Sequence, residues 1–346
     1  MNKIIIIAGI FVVVILVIGV FSPEDKGSDI DFSMPFPGNK QPVAIQPPSE
    51  PRTNYPVGEK GPARILESGW KEPIKLGFND AGWEDSPYIT RDGGQILFFW
   101  HPVPNLADPS VIEAVTEELV ANPQKSIENG LDGKIYISNR PFETKSIHPF
   151  FLNKDLPSSD ACPYVSLSGD LYYCSTMESW VQGKGVPTKN YMNGKRLDFG
   201  TGNEENNFHL VESLDEGWGD CPGDDNICVM KNAKASDFSN KFELAPFPIN
   251  ERDVDGVKDF QPYLTDDGKD LYFTSNRDGI FAIYKTTRLD EGGLKWSSPV
   301  KFIEDSSGAG VAEVSITADG KELVFAQLFI RNDGSPGLDI YYSRKE

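Results

Sequence analysis

The chain has 346 residues, 52 acidic against 33 basic, and a formal charge of −19. That length admits one large domain or two ordinary ones. The acidic balance excludes a surface built to neutralise phosphates, so nucleic-acid binding is set aside; cations such as calcium or a basic protein surface are electrostatically easier partners, beside the plain reading of an acidic surface as a solvated one.

The first segment, Ile4 to Phe21, is an uncharged and almost wholly apolar run of 18 residues, preceded by Lys3 and followed by Glu24 and Asp25. It just reaches the length of a membrane-spanning helix. A cleaved signal peptide is the alternative, with Val17 and Gly19 as a weak small-x-small site. Lys3 on the short side leaves the N-terminus cytoplasmic, so either reading sends the rest of the chain across a membrane, to the extracytoplasmic side. Residues 22–62 then change character: "SMPFPGNKQPVAIQPPSEPRTNYPVGEKGP" is rich in Pro, Gly and polar residues with no apolar period. Such a segment stays extended and reads as a stalk.

From residue 63 the sequence repeats. "SPYITRDGGQILFFW" from Ser86, "CPYVSLSGDLYYCS" from Cys162, "QPYLTDDGKDLYFTS" from Gln261 and "EVSITADGKELVFAQ" from Glu313 each read as two strands about a tight turn. Asp-Gly marks the turn in three copies and Ser168-Gly169 in the other, glycine supplying the positive φ that a tight hairpin needs. Each is preceded by a proline-containing strand: "WKEPIKL" at Trp70, "SIHPFFL" at Ser146, "ELAPFPI" at Glu243 and "WSSPVKF" at Trp296. The spacing from that proline to the Pro-Tyr position or its equivalent is 14, 14, 16 and 15 residues. A further strand follows in every unit: "KIYISNR" at Lys134, "ICVMKNAK" at Ile227, "FAIYKTTR" at Phe281 and "LDIYYSRK" at Leu338. Four antiparallel strands per repeated unit predict an all-β fold, a β-propeller over residues 63–346. The folded part begins with a proline strand and ends with the strand that normally precedes one, so joining first to last completes the final blade. Four units are visible and four is the count read here. Five is the alternative, because "NGKRLDFG" at Asn193 echoes "DGKDLYFT" at Asp267.

The pattern of Trp-x-x-Pro, Pro-Tyr, Asp-Gly, Leu-Tyr-Phe and Ile-Tyr resembles the WD-like propeller repeats of the TolB type, over roughly residues 65–346. The resemblance implies a propeller of the cell envelope used as a binding platform, and it says little about activity. Blade two departs from the pattern at Ser168.

The four cysteines fall as two close pairs, Cys162 with Cys174 and Cys221 with Cys228. A hairpin turning at Ser168 sets the first pair opposite each other, and "CPGDDNIC" makes the second a stapled loop. Zinc wants CxxC-like spacing and neighbouring histidine, and His101, His148 and His209 are elsewhere, so disulfides are expected. Two long connections, 101–132 and 176–226, read as insertions on one face of the ring, the usual place for function on a rigid scaffold. The first carries six acids against one lysine and a helix signal, with Asp108 as N-cap and Pro109 at the first helical position. The second carries ten acids against four basic residues.

Within the acidic stretches, Asp220, Asp224 and Asp225 in the stapled loop, and Glu251, Asp253 and Asp255 in "ERDVDG", are candidate calcium ligands, with solvated loops as the plain reading. Trp180 and Trp218 are candidate stacking surfaces on the ligand face, whereas Trp70 and Trp296 sit at repeat positions and read as packing. "SNR" at Ser138 and again at Ser275 reads as a shared turn. No catalytic motif of the GxSxG, HExxH or P-loop kind occurs. The function expected is a membrane-anchored platform that binds an envelope or cell-surface protein, more a binding module than an enzyme. The alternative is a glycan-binding or glycan-processing propeller using acids at its mouth, which polysaccharide as partner would fit.

Overall fold

The computed structural model describes residues 55–346 except 107, 152–157, 178–187, 200–205, 235–241, 252, 253, 255 and 294. The anchor segment and the stalk up to residue 54 lie outside the described residues. Among the described residues no helix is long and apolar enough to cross a membrane.

Two short strands, β1 (Ala63–Ile65) and β2 (Ile74–Lys75), precede the first complete sheet of β3 (Trp83–Ile89), β4 (Gln95–His101), β5 (Lys134–Asn139) and β6 (Ser146–Ile147). Helices α1 (Pro109–Ala121) and α2 (Pro123–Glu128) lie between β4 and β5. The second sheet is β7 (Asp160–Val165), β8 (Leu171–Ser175), β9 (Lys189–Met192) and β10 (Lys195–Arg196). The third is β11 (His209–Val211), β12 (Glu216–Asp220), β13 (Ile227–Lys231) and β14 (Glu243–Leu244). The fourth is β15 (Asp259–Leu264), β16 (Asp270–Ser275), β17 (Ala282–Thr287) and β18 (Val300–Asp305). The fifth is β19 (Val311–Ile316), β20 (Glu322–Ile330) and β21 (Pro336–Arg344), completed by β2. The described residues thus form five antiparallel blades in which each inner strand opens a meander of four.

Five blades, not four, is the first correction to the sequence reading. The stretch 176–226 is not a single loop, because β9 to β12 lie within it. "ICVMKNAK", taken as the third strand of the second unit, is the third strand of the third blade. Asn193-Gly194 is a two-residue turn joining β9 to β10, with Met192 paired to Lys195. Both turn residues have positive φ, 49° and 86°, as this hairpin demands.

The turn after the inner strand has a common chemistry in four of the five blades. The Thr90, Thr265 and Thr317 hydroxyls donate to Asp92, Asp267 and Asp319 at 2.6, 2.8 and 2.7 Å. In blade two the same place is held by Ser166 and Ser168, 3.0 Å apart, so the missing aspartate is replaced by a hydroxyl pair.

Closure follows the expected route. β2 pairs antiparallel with β21, Ile74 opposite Tyr342, and supplies the outer strand of blade five. The chain just before it adds a strap. Lys60 bridges to Ile74, and β1 pairs with β18, Ala63 opposite Asp305, so residues 60–65 run across the outer edges of blades five and four. Those edges would otherwise present unpaired backbone groups. Apolar clusters fill the wedges between sheets; Ile89, Ile96 and Phe98 pack against Val324, Ile340 and Tyr342 where blade one meets blade five.

Nearer the axis the blades are tied by side chains at one equivalent position. The Tyr88 hydroxyl donates to the Val165 carbonyl at 2.9 Å and Tyr164 to Leu210 at 3.1 Å. The Leu264 N–H donates to His209 Nε2 at 3.3 Å, Tyr263 donates to Ile316 at 2.6 Å, and the Ile89 N–H donates to Ser315 Oγ at 3.1 Å. These bonds run from blade one to two, two to three, three to four, four to five and five back to one. Burial holds the His209 pKa down to about 4, so its ring is neutral and free to accept. Tyr263→Phe removes one link and leaves a carbonyl short of its partner, which costs about 1–3 kcal/mol; urea denaturation of the variant should show that loss, and an unchanged midpoint would refute the role of the belt.

Candidate functional site

Four of the five inner strands break their ladder just before the belt residue. The residues at the break are Ser86-Pro87, Cys162-Pro163, Gln261-Pro262 and Glu313-Val314. Asn207-Phe208 occupies the same place just before β11. The first residue of each pair has positive φ: 51° at Ser86, 53° at Cys162, Asn207 and Gln261, and 56° at Glu313. A non-glycine residue rarely adopts that conformation, least of all before proline, so five in register mark a shared constraint. All five line one axial cavity of about 60 Å³, together with the belt residues below them. That is space for a few waters.

One end of the axis is closed. Arg91 of blade one makes a two-pronged ion pair with Asp266 of blade four, both contacts 2.7 Å. Blades one and four are not neighbours, so this bridge crosses the axis. Arg91 also donates to the Tyr164 hydroxyl at 3.1 Å and lies over that ring. The β4–β5 connection with α1 and α2 stands at the opposite end.

Two carboxyl groups meet where Glu313 lines the cavity. The Ser86 N–H donates both to Asp85 Oδ1 at 2.8 Å and to Glu313 Oε2 at 2.7 Å. Glu313 Oε1 accepts from Gln261 Nε2 at 2.6 Å and from the Ser86 hydroxyl at 3.2 Å. Burial pushes the Glu313 pKa well above the usual carboxylate range, and the charge of Asp85 and a side-chain hydrogen bond to it push the same way. Behind Gln261, Asp220 accepts from the Gln261 N–H and from Asn207 Nδ2, each at 2.7 Å, and burial raises its pKa to about 7. Glu84, beside Lys145 at 2.7 Å, is likewise raised to about 7 by burial. Sequence reasoning passed over Ser86, Asn207, Gln261 and Glu313. The signal for three of them was present: the residue before Pro-Tyr, or its equivalent, is where otherwise similar copies change chemistry.

The residues expected to carry ligands are dispersed. Both disulfides form, Cys162–Cys174 with Cα atoms 5.5 Å apart and Cys221–Cys228 with 4.9 Å. Cys162 does not sit directly opposite Cys174, whose ladder partner is Ala161; it reaches across from the bulge. Of the calcium candidates, Asp220 is half-buried and accepts from the Gln261 N–H, Asp224 is exposed, and Asp225 pairs with Lys258 at 2.9 Å. Glu251 is half-buried, its N–H donating to Asp259, while Asp253 and Asp255 lie outside the described residues. Among the described residues no three metal-ligating side chains converge. Trp218 is 1% exposed, packed edge-on against Trp296 with centroids 5.7 Å apart, its Nε1 donating to Glu216. It is a core residue between blades three and four, which corrects its reading as a stacking surface; Trp180 lies outside the described residues. The two "SNR" runs close different strands, the third of blade one and the second of blade four.

With these features the chain is a five-bladed β-propeller. No model of a known protein family matches it, and no curated protein is similar to it. Solved structures with a similar fold include a protein of unknown function from Dyadobacter fermentans, at 10% identity over 82% of this chain and 99% of that one, TM-score 0.44. The catalytic domain of a Coprinopsis cinerea GH62 α-L-arabinofuranosidase is 7% identical over 84% and 96%, TM-score 0.44. TolB from Acinetobacter baumannii is 14% identical over 71% of this chain and 52% of that one, TM-score 0.37. At such TM-scores these likenesses carry no argument about this chain, whose architecture rests on its own five sheets.

Cys162 ties the bulge of blade two to its neighbouring strand. Replacing Cys162 and Cys174 together by alanine should cost about 2–4 kcal/mol in denaturant unfolding. A double variant as stable as the parent would show that the bulge holds without the bond.

Proposed function

We propose that this chain is a membrane-anchored, extracytoplasmic β-propeller acting as a protein-binding platform of the cell envelope. The observation that carries the reading is the division of labour in blade one. The blade turns tightly at one end, yet at the other it carries a helical excursion between β4 and β5. Asp108 caps α1 by accepting the Ser110 N–H at 2.9 Å, and Leu119 is buried. Glu113 and Glu117, one helical turn apart, are exposed. An acidic helix edge on a rigid ring suits a partner with a basic surface. The axis, in contrast, has room for a few waters and its polar groups are largely engaged with one another.

A second reading, glycan processing, is favoured by one observation: the carboxyl group of Glu313, which lines the cavity, is paired with that of Asp85. The volume argues against it, since a sugar ring does not fit among a few waters.

The test is photo-cross-linking of the full chain in its native membranes, with the cross-linker at position 113 or 117, and at 321 as a control in the turn at the opposite end. The same protein captured at 113 and 117 but not at 321, with capture falling at least several-fold in Glu113→Lys/Glu117→Lys, is expected. Capture of polysaccharide alone, or of nothing, would overturn the platform reading.

A further inference from the structure

The ring closes where blade five meets blade one, and the acid pair sits on that seam. Asp85 and Ser86 belong to β3 of blade one, Glu313 to β19 of blade five. Two carboxyl oxygens converge on the single Ser86 N–H, and a side-chain hydrogen bond joins the two groups. Two ionised carboxylates cannot share that position without strong repulsion, whereas one proton between them turns repulsion into a hydrogen bond. The donors already in place fix which end is protonated. Glu313 Oε1 is held by Gln261 Nε2, so the proton belongs on Oε2, from which it donates to Asp85; Asp85 keeps Trp83 Nε1 at 3.2 Å on its other oxygen.

Among the described residues, the strands packed against β19 offer no cation to replace that proton. On the strands packed against β19, Glu84 is matched by Lys145, Asp259 by Arg277, Asp270 by Lys285, and Glu322 by Arg140. On β18, Glu304 pairs with Arg64, Lys301 with Asp278, and Asp305 takes the N–H groups of Ala309 and Gly310. The remaining charged pair on these strands, Asp85 and Glu313, faces itself.

We propose that Asp85 and Glu313 form a one-proton clasp across the closing seam, making the ring and its axial mouth responsive to pH. With the proton in place, blades one, four and five are joined through Glu313 to Ser86, Asp85 and Gln261. When it leaves for solvent, the seam carries two negative charges at the cavity wall and loosens. The direction follows from the raised pKa of Glu313. Its contribution to stability is complete below the ordinary carboxylate range and is lost as pH rises through the folded-state value. Mild acid therefore tightens this seam, opposite in sign to a carboxylate held by a cation.

The test compares the full chain with Glu313→Gln and, as an independent neutralisation, Asp85→Asn. Glutamine keeps the donor to Asp85 and the acceptor for Gln261 and removes the titrating proton, at the cost of the acceptor for the Ser86 N–H. Melting temperature is followed between about pH 5 and pH 8. The parent is expected to lose roughly 2–4 °C more than Glu313→Gln across that range, and Asp85→Asn, in which burial still holds the Glu313 pKa up, to fall between the two. Infrared spectra at neutral pH are expected to show a protonated carboxyl band that Glu313→Gln removes. Parallel pH profiles for parent and both variants, or no such band in the parent, would overturn the clasp. Should one variant fail to fold, the other and the parent's own band still decide.

Discussion

Five side chains near the axis, Tyr88, Tyr164, His209, Tyr263 and Ser315, each bond to the backbone of the next blade, and the rest of the structure depends on that belt. A blade alone is a small sheet with two edges and two apolar faces, and it is stable only between neighbours. The wedges of apolar side chains press neighbouring sheets together without fixing their register. The belt fixes it, because each link is a directed hydrogen bond between a buried side chain and one backbone group. The ring contacts between Tyr88 and Tyr164 and between Tyr164 and His209, with centroids 5.3 and 5.1 Å apart, carry the same order sideways.

The bulges follow from the belt. To aim the belt residue at the neighbouring blade, four inner strands gain a residue just before it, and the left-handed backbone there, shared by Asn207 ahead of β11, is tolerated in Ser, Cys, Asn, Gln and Glu alike. The added residues face the axis, where nothing but their own chemistry decides what they do. One closes a disulfide, two bond to Asp220, and one meets a second carboxyl group. A scaffold position repeated five times thus carries five different groups, which is how a structural device becomes a place for function.

Much of this was legible in the sequence. Pro-Tyr, the Asp-Gly turns and the matched spacings located four blades because those residues perform the repeated tasks directly: tyrosine makes the belt and glycine makes the turn. The closing strand at Ile74 was legible for the same reason. Blade three was not, because it performs the same tasks with other residues. His209 stands for tyrosine, Phe208 for proline, and Asp215, at φ 55°, for the turn glycine. Trp218 was misread because a tryptophan inside an apparent loop looks available, whereas that stretch is a strand and the indole fills the wedge beside Trp296. The acid pair was hidden for a different reason: Asp85 and Glu313 are 228 positions apart, and only ring closure brings them together.

Linked in this way, the ring is expected to unfold as a single cooperative unit. Amide hydrogen exchange at Ile89 and Leu264, whose N–H groups are themselves belt links at opposite sides of the ring, tests this most directly. Both should exchange only through global unfolding, with the same free energy and the same denaturant dependence. Exchange of either one through a smaller, local opening would show that the blades are held separately and that the belt does not close the ring.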